Sequence, residues 1–337
     1  MSTDSSTPLA RLFSDSDDFV LTLLDNMIWP ILVLVCLGVV LTVPATFSNL
    51  LSIQLILWAS VTIGLLVLAE SICLLSGHFD LSIGAIAGFS AMLTGMVIGQ
   101  CPSCWGVAPN PWVGFALIIA IGALVGLFNG VMIGKYGLNP FLQTLAMLIV
   151  FEGAKTALNT QPISGLPALY TSVGGSPLFS IGVMLFAFLV FGVVMRYTRF
   201  GQAVYALGSD KHAAREVGIS TDIVIIAVYV ISGILAAIAG LMKTGFVGIV
   251  PPLIGEGLVF QAFAGAVIGG ISLFGGRGKI MGALGGVILI QVIQSALNTS
   301  SFVGATQIQM INGFVLFAAI LLYSTQERIR SRILASQ

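Results

Sequence analysis

The sequence carries very little charge. Only 8% of its 337 residues are Asp, Glu, Lys or Arg, and 57% are hydrophobic; a soluble domain normally carries about 25% charged residues. A folded surface with so few charged groups could not be kept in water. The mean hydropathy of +1.08 agrees. We therefore expect the lipid bilayer to be the main solvent of this chain.

Several kinds of functional site are also missing. The formal net charge is zero, which gives a nucleic-acid partner no electrostatic support. Four cysteines and two histidines are too few and too scattered for a metal framework. No G-x-x-x-x-G-K-[ST] phosphate loop occurs, because in the nearest string, GGRGK at residues 275–279, Leu273 and Ile280 replace the first glycine and the hydroxyl residue. Without G-x-S-x-G or H-E-x-x-H either, we expect no enzyme, and no cofactor in this chain.

Ten stretches are apolar enough to be membrane-spanning helices, which need about 20 residues each. Breaks rich in glycine and proline separate them. The last three are short, so one of them is a candidate for a re-entrant or broken helix. The stretches are residues 27–45, 50–75, 81–99, 112–134, 140–159, 178–195, 223–242, 258–274, 280–296 and 308–323.

The predicted fold is therefore an all-α, polytopic transmembrane helix bundle of about ten spans. Residues 27–325 form one membrane domain, between an N-terminal tail at residues 1–26 and a basic tail at residues 326–337. Basic residues concentrate in cytoplasmic loops. If both termini are cytoplasmic, every lysine and arginine except Lys155 and Lys243 lies at the inner face, which predicts that orientation.

Small residues recur at helical spacing in two predicted spans. Because apolar side chains gain little by leaving lipid, membrane helices associate through close packing of small residues. We therefore assign these glycines to helix packing: Gly122, Gly126, Gly130 and Gly134 in one span, and Gly84 and Gly88 in another.

Cys101 and Cys104 fall in a predicted outer loop. An outward location permits a disulfide, although two free thiols fit the residues equally well. A redox role for C-x-x-C would require a thioredoxin-like context, which is absent.

A polar interior loop at residues 196–222 has the composition of a short helix. Ser209 suits an N-cap, strong helix formers follow from Lys211, and Gly218 suits the C′ position. A short helix is marginal in water and should need a docking partner; an ordinary solvated loop is the alternative. In the first interpretation Ala213 and Ala214 form a small docking face with charged residues around it. The predicted docking residues are Gly208, Ser209, Asp210, Lys211, Ala213, Ala214, Arg215, Glu216 and Gly218.

Three motifs carry a family resemblance: SGHFDLSIGAIAG at residues 76–88, YALGSDKHAAREVGI at residues 205–219 and AGAVIGGISLFGGRGKIMGALGG at residues 264–286. In this order and spacing the chain resembles, over residues 45–325, the permease subunits of ribose-type ABC importers, the family with ribose, xylose, arabinose and galactose permeases. The resemblance implies a type II ABC importer-like permease in a prokaryotic cell membrane, for a monosaccharide or similar solute. It also implies that the short loop helix couples to an ATPase.

The same resemblance implies the partners. They are ATPase subunits that hold ATP and Mg, a second permease copy or a paralogue, and an extracytoplasmic solute-binding protein. The sequence departs from the family pattern at three places. VFQAFA at residues 259–264 replaces an acidic run, Glu152 stands where Arg is frequent, and His78-Phe79 replaces Gly-Ile. The solute class therefore stays open to a nucleoside, polyol or amino acid.

A charged group at membrane depth costs about 2.5–3.5 kcal/mol on insertion scales, so each is a candidate functional residue. Asp80 opens the third span and is either a helix cap or, with Ser82, part of a translocation path or gate. Gln261, which replaces a family carboxylate, and Phe263 are further candidates for the path.

The remaining acidic groups allow a competing function. Glu152 and Lys155 are spaced i, i+3 and are predicted to pair on one helix face. Alternatively, Glu70, Asp80 and Glu152 would form the ion site of a secondary transporter driven by protons or sodium.

Overall fold

The structure is a computed structural model that describes residues 26–300 and isolated positions between residues 310 and 328. Over residues 26–300 the chain is built from α-helices, and a 3₁₀ turn, Pro44–Phe47, joins the first two of them. The helices are α1 (Ile28–Thr42), α2 (Leu50–Leu75), α3 (Ile83–Ile98), α4 (Pro111–Gly134), α5 (Pro140–Leu158), α6 (Ala168–Gly175), α7 (Pro177–Tyr197), α8 (Arg199–Ser209), α9 (Lys211–Glu216), α10 (Thr221–Val247), α11 (Leu258–Ile268) and α12 (Ile280–Thr299).

Asparagine caps explain where three of the long helices begin. Asn110 and Asn139 each precede a proline, and their Oδ1 atoms accept 2.9 Å hydrogen bonds from the N–H groups of Trp112 and Phe141. Asn49 caps α2 in the same way. A side-chain acceptor at the N-cap with proline at the first helical position is a strong start signal.

The predicted all-α membrane bundle is confirmed. Six helices, α2, α4, α5, α7, α10 and α12, are long and apolar enough to cross a bilayer, and α1, α3 and α11 are shorter apolar helices. These nine match the first nine predicted spans. The tenth, residues 308–323, and both predicted tails lie almost entirely outside the described residues.

Two of the predicted spans are shorter than the sequence suggested. The span at residues 258–274 ends at Ile268, because Gly269 and Gly270 follow and Gly270 adopts φ +87°. The third span begins as a helix only at Ile83, after irregular backbone at residues 76–82. The two irregular segments pack against each other and against the end of α8, where Gly77 meets Gly208 and Gly275.

The long helix α10 lies at the centre of the bundle and packs on α4, α2, α3 and α6. The structure places the glycine stripe of α4 against it. A Cβ at Gly130 would lie 2.8 Å from Ile226 Cα, and one at Gly134 would lie 2.8 Å from Asp222 O. Gly122 and Gly126 approach the backbone of α10 even more closely. The stripe therefore lets two helices meet at backbone distance.

Gly84 and Gly88 of α3 have a different neighbour from the one predicted. Their nearest neighbour is the loop at residues 251–257: a Cβ at Gly84 would lie 2.7 Å from Gly255 O, and one at Gly88 would overlap Ile254 O. The missing side chains thus make room for an irregular segment. In the loop between α3 and α4, Cys101 and Cys104 are joined by a disulfide.

A buried lysine fixes the loop at residues 251–257. The Lys155 side chain of α5 is fully buried, and its Nζ donates to Ile254 O at 3.1 Å. The same ammonium pairs with Glu152 at 2.5 Å and with Glu256 at 3.4 Å. The predicted Glu152–Lys155 pair is therefore present, but the contribution of Glu256, 101 residues away in sequence, was not predicted.

Removing the two acids is expected to destabilise the protein more than removing the lysine. In Lys155→Met, Glu152 and Glu256 retain 24% and 46% exposure and can turn to solvent. In the double variant Glu152→Gln/Glu256→Gln, the ammonium stays buried without a counter-charge. We expect the double variant to lose about 3 kcal/mol or more of unfolding free energy and Lys155→Met about 1–2 kcal/mol.

Chemical unfolding of the purified protein in detergent measures both losses. Glu216→Gln, which removes an exposed carboxylate from the surface, is the control for the loss of an acid. A larger loss in Lys155→Met than in the double variant would contradict this account.

Candidate functional site

Asp80 is the centre of a buried hydrogen-bond network. One carboxyl oxygen accepts from Ser82 N at 3.0 Å and from Ser82 Oγ at 2.5 Å, and the other accepts from Ser232 Oγ of α10 at 3.1 Å. Asp80, Ser82 and Ser232 are all fully buried. Three donors on one carboxyl group offset much of the cost of removing it from water.

The network continues into α4 and α5. Asn129 Nδ2 donates to Ser82 Oγ at 3.1 Å, and Gln143 Nε2 donates to Asn129 Oδ1 at 3.3 Å. One hydrogen-bonded chain therefore joins the segment at residues 76–82 to α4, α5 and α10. Asn129, Gln143 and Ser232 were not predicted, because a single polar residue in an apolar helix does not indicate which distant group it meets.

Glu70 of α2 lies beside this network. Its carboxyl group is fully buried near Asp80, and neither oxygen meets hydrogen-bonding geometry with a side-chain or backbone donor in the described part of the chain. Glu152 is elsewhere: it lies on α5 nine residues beyond Gln143, about 13 Å along the helix axis. The ion site predicted from Glu70, Asp80 and Glu152 is thus not assembled. Among the described residues no three His, Cys, Asp or Glu side chains could share a metal ion.

The aromatic ring next to Asp80 meets α11. Phe79 stacks on Phe263, with ring centroids 5.9 Å apart and planes at 27°, and Phe79 O accepts from Tyr229 Oη at 2.7 Å. Gln261 lies two residues from Phe263, which places it about 200° round the helix. Of the four path candidates, Asp80 and Ser82 are hydrogen-bonded to each other, Phe263 meets the adjacent Phe79, and Gln261 lies on a different side of α11 from Phe263.

The short helix predicted in the interior loop is α9. Its N-cap is Asp210 and not Ser209, which is the last residue of α8. Asp210 Oδ1 accepts from Ala213 N at 3.0 Å and from His212 N at 2.8 Å, and these N–H groups hold the pKa of Asp210 below its ordinary value. Gly218 ends the helix at φ +85°, a conformation that favours glycine.

The exposed face of α9 differs from the predicted one. Ala214 is buried against the chain itself, whereas Ala213 is exposed and Val217, one turn further, is 76% exposed. Arg215 does not stand at the edge of a docking face. It donates to Thr221 Oγ1 at 2.8 Å and to Asp222 Oδ1 at 2.9 Å, and so ties α9 to the start of α10. Lys211 and Glu216 are exposed on α9, whereas Gly208 lies in the last turn of α8 and is packed against Leu75.

His78 lies between α9 and the Asp80 network. Its Nδ1 is 2.8 Å from Ser76 O, and its ring meets that of Tyr229 edge-on with centroids 6.3 Å apart. Burial lowers the pKa of His78 to about 4, and the charge of Lys211 acts in the same direction. The imidazole is therefore neutral at cellular pH.

This shift predicts acid sensitivity. The unfolded chain protonates His78 near pH 6.5, but the native protein does so only near pH 4. Because the unfolded state then binds more protons, stability falls as the pH drops from about 6.5 towards 4, by up to about 1.4 kcal/mol per unit. Unfolding in denaturant at pH 7.5, 6.0 and 5.0 should show a smaller loss in His78→Gln than in the wild type. The control is His212→Gln, at the exposed histidine; equal slopes in all three proteins would contradict the prediction.

Comparison with known proteins identifies the family. The family described as "branched-chain amino acid transport system / permease component" matches residues 52–324. The fructose import permease protein FrcC of Rhizobium meliloti is 32% identical over 280 residues, which is 79% of this chain and 76% of that protein. The autoinducer 2 import system permease protein LsrC of Yersinia enterocolitica is 32% identical over 260 residues, 74% of this chain and 69% of that protein.

No solved structure matches the chain. The family match nevertheless extends from α2 through α12 and beyond, and so includes the Asp80 network, α9 and α11. The relatives that match over most of this length are transport subunits and not enzymes. This chain therefore belongs to the family of membrane-spanning permease components of ABC importers.

Proposed function

We propose that the chain moves a monosaccharide or a similar small polyhydroxylated solute into the cell, driven by a separate ATPase. The observation that carries the proposal is the match, over more than two thirds of both chains, to an import permease named for fructose. The resemblance of the three sequence motifs to sugar permeases supports the same solute class. The ATPase would hold ATP and Mg, and an extracytoplasmic binding protein would deliver the solute.

The geometry of α9 supports its role as the contact for the ATPase. Asp210 caps one end, and Arg215 pairs with Asp222 near the other. The helix is therefore fixed to the rest of the permease and can transmit a displacement to it. Its outward side presents Ala213 and the exposed Val217. An exposed apolar side chain outside the membrane suits the groove of a partner protein.

The placement of α9 also supports the predicted orientation. The end of α8 and the loop at residues 269–279, which contains Arg277 and Lys279, are packed together on one side of the bundle. Basic loops concentrate on the cytoplasmic side. We infer that this side faces the cytoplasm, with both termini there as well.

The exposed face of α5 supports a second permease copy and a path between the two. Of the six long apolar helices, α5 is both the least hydropathic and the least buried. Thr156 and Gly153 are exposed on it, and a Cβ at Gly153 would meet no atom within 4 Å. Leu142 and Ile149 are exposed on α5 as well, and a face that combines apolar side chains with small residues is one on which membrane helices associate. A path between two such copies would lie along this face.

Reconstitution tests the function. The chain is co-purified with its cognate ATPase and binding protein, placed in vesicles, and assayed for ATP-dependent uptake of radiolabelled pentoses and hexoses. A nucleoside, a polyol and an amino acid serve as alternative solutes. We expect uptake of a sugar that requires ATP on the ATPase side. Uptake that proceeds without ATP under an ion gradient would contradict the proposal.

The proposed contact of α9 with the ATPase can be tested by a single substitution. Val217→Asp places a charge in the proposed apolar contact and should lower ATP-dependent uptake by roughly tenfold or more, with unchanged amounts of the chain in the membrane. The matched control is Val107→Asp, at a valine that is also 76% exposed but lies in the loop between α3 and α4. Full uptake by the Val217 variant would remove α9 from the ATPase contact.

A further inference from the structure

The three motifs that carry the family resemblance meet at one place in the structure. Gly77 comes from the first motif, Gly208 from the second, and Gly275 and Gly276 from the third. A Cβ at Gly275 would lie 2.6 Å from Gly208 O and 2.7 Å from Gly77 Cα. A Cβ at Gly276 would lie 2.8 Å from Ser209 Cα. These segments therefore approach one another at backbone distance, and the Ser209 hydroxyl also lies against Gly276.

Hydrogen bonds hold the same three segments together. Gly276 N donates to Leu75 O, the end of α2, at 2.9 Å. Tyr205 Oη of α8 donates to Gly278 O at 2.8 Å. The loop at residues 272–278 is thus bonded to α2 on one side and to α8 on the other.

The position of this contact in the chain suggests what it does. On one side, Ser209 directly precedes Asp210, the cap of α9. On another, Gly77 lies three residues before Asp80, the centre of the buried network. The loop itself joins α11 to α12. Closely packed backbones cannot slide past one another without moving their neighbours, because protein interiors are dense and resist compression.

We propose that Gly77, Gly208, Gly275 and Gly276 form a glycine junction that passes the displacement of α9 to the Asp80 network and to α11. These glycines are positioning residues for transport: they act through α9, the Asp80 network and α11. The inference rests on the proposed docking of the ATPase at α9 and adds the route by which that docking reaches the membrane interior.

Gly208 is the position at which the junction can be tested most cleanly. It lies in the last turn of α8 without a positive φ, so alanine fits its own backbone. The new Cβ would overlap Leu75 O and lie 2.5 Å from Gly276 N. Both are backbone atoms that cannot rotate away. Gly208→Ala must therefore push α8 away from the segment that leads to Asp80.

The experiment measures solute imported per ATP hydrolysed in the reconstituted complex. For Gly208→Ala we expect assembly with the ATPase, hydrolysis within about twofold of wild type, and a transport ratio lowered by roughly tenfold. The matched control is Gly182→Ala on α7, where a Cβ meets nothing within 4 Å. A wild-type ratio in Gly208→Ala would overturn the proposal.

A second variant keeps the test decisive if Gly208→Ala does not assemble. Tyr205→Phe removes only the oxygen that bonds Gly278 and adds no volume. We expect it to lower the transport ratio by about twofold or more, and an unchanged ratio would overturn the proposal.

Amide hydrogen exchange supplies a readout that general destabilisation would not reproduce. Addition of a non-hydrolysable ATP analogue to the wild-type complex should change exchange at α9 and at residues 77–82. In the junction variants the change at α9 should remain and that at residues 77–82 should be lost. A change at both places in the variants would count against the junction.

The outcomes separate the two proposals. If Val217→Asp has no effect, the assignment of α9 to the ATPase fails. If Val217→Asp blocks uptake while the junction variants keep the wild-type ratio and exchange pattern, the docking assignment stands and the junction fails.

Discussion

Hydrocarbon offers no hydrogen-bond partner, so each polar group within the bilayer depends on another group of the same protein. Two arrangements in this permease meet that constraint. In the first, the Asp80 carboxyl group accepts three hydrogen bonds, and the network around it links the segment at residues 76–82 to α4, α5 and α10. In the second, the Lys155 ammonium pairs with two carboxylates and donates a hydrogen bond to a carbonyl oxygen. Each arrangement joins a long helix to irregular backbone: α10 to the segment at residues 76–82, and α5 to the loop at residues 251–257.

Glycine is the second means by which irregular segments are held. Side chains between helices would keep the backbones apart, whereas Gly84 and Gly88 admit a loop to the surface of α3, and Gly208 admits the loop before α12. Such contacts are short and stiff. These contacts account for the glycines that the three sequence motifs share, since Gly77, Gly208 and Gly275 come from different motifs and meet in the structure.

Much of the fold could be predicted from the sequence, because a spanning helix leaves a local signal of about 20 apolar residues. The short helices α6 and α8 lie in segments for which the sequence predicts no helix. The predicted spans and the observed helices otherwise agree over the described residues, apart from the bounds of α3 and α11. Those two were misjudged because their flanking segments are apolar as well, and composition alone does not show where glycines break a helix within the membrane. The local chemistry of α9 was predicted nearly correctly, since caps depend on adjacent residues.

The partners of the buried polar groups could not be predicted in the same way. Asp80 was recognised as important, but its contact with Ser232, 152 residues away, depends on how α10 crosses the bundle. Ala214 was assigned to the docking face because a helix of six residues gives too short a pattern to show which side is buried. Gln261 is predicted by analogy with a family carboxylate, whereas Phe263, two residues further on, is the residue that stacks on Phe79 next to Asp80.

The shortness of α11 has a consequence for what fixes its place in the bundle. Eleven residues rise only about 16 Å, roughly half the thickness of the hydrocarbon core. A helix this short cannot be held at both faces of a bilayer, so the loops at its two ends set its position. The loop before it is bonded to the Lys155 ammonium, and the loop after it is bonded to Leu75 and Tyr205. Both ends of α11 therefore depend on polar contacts with other helices.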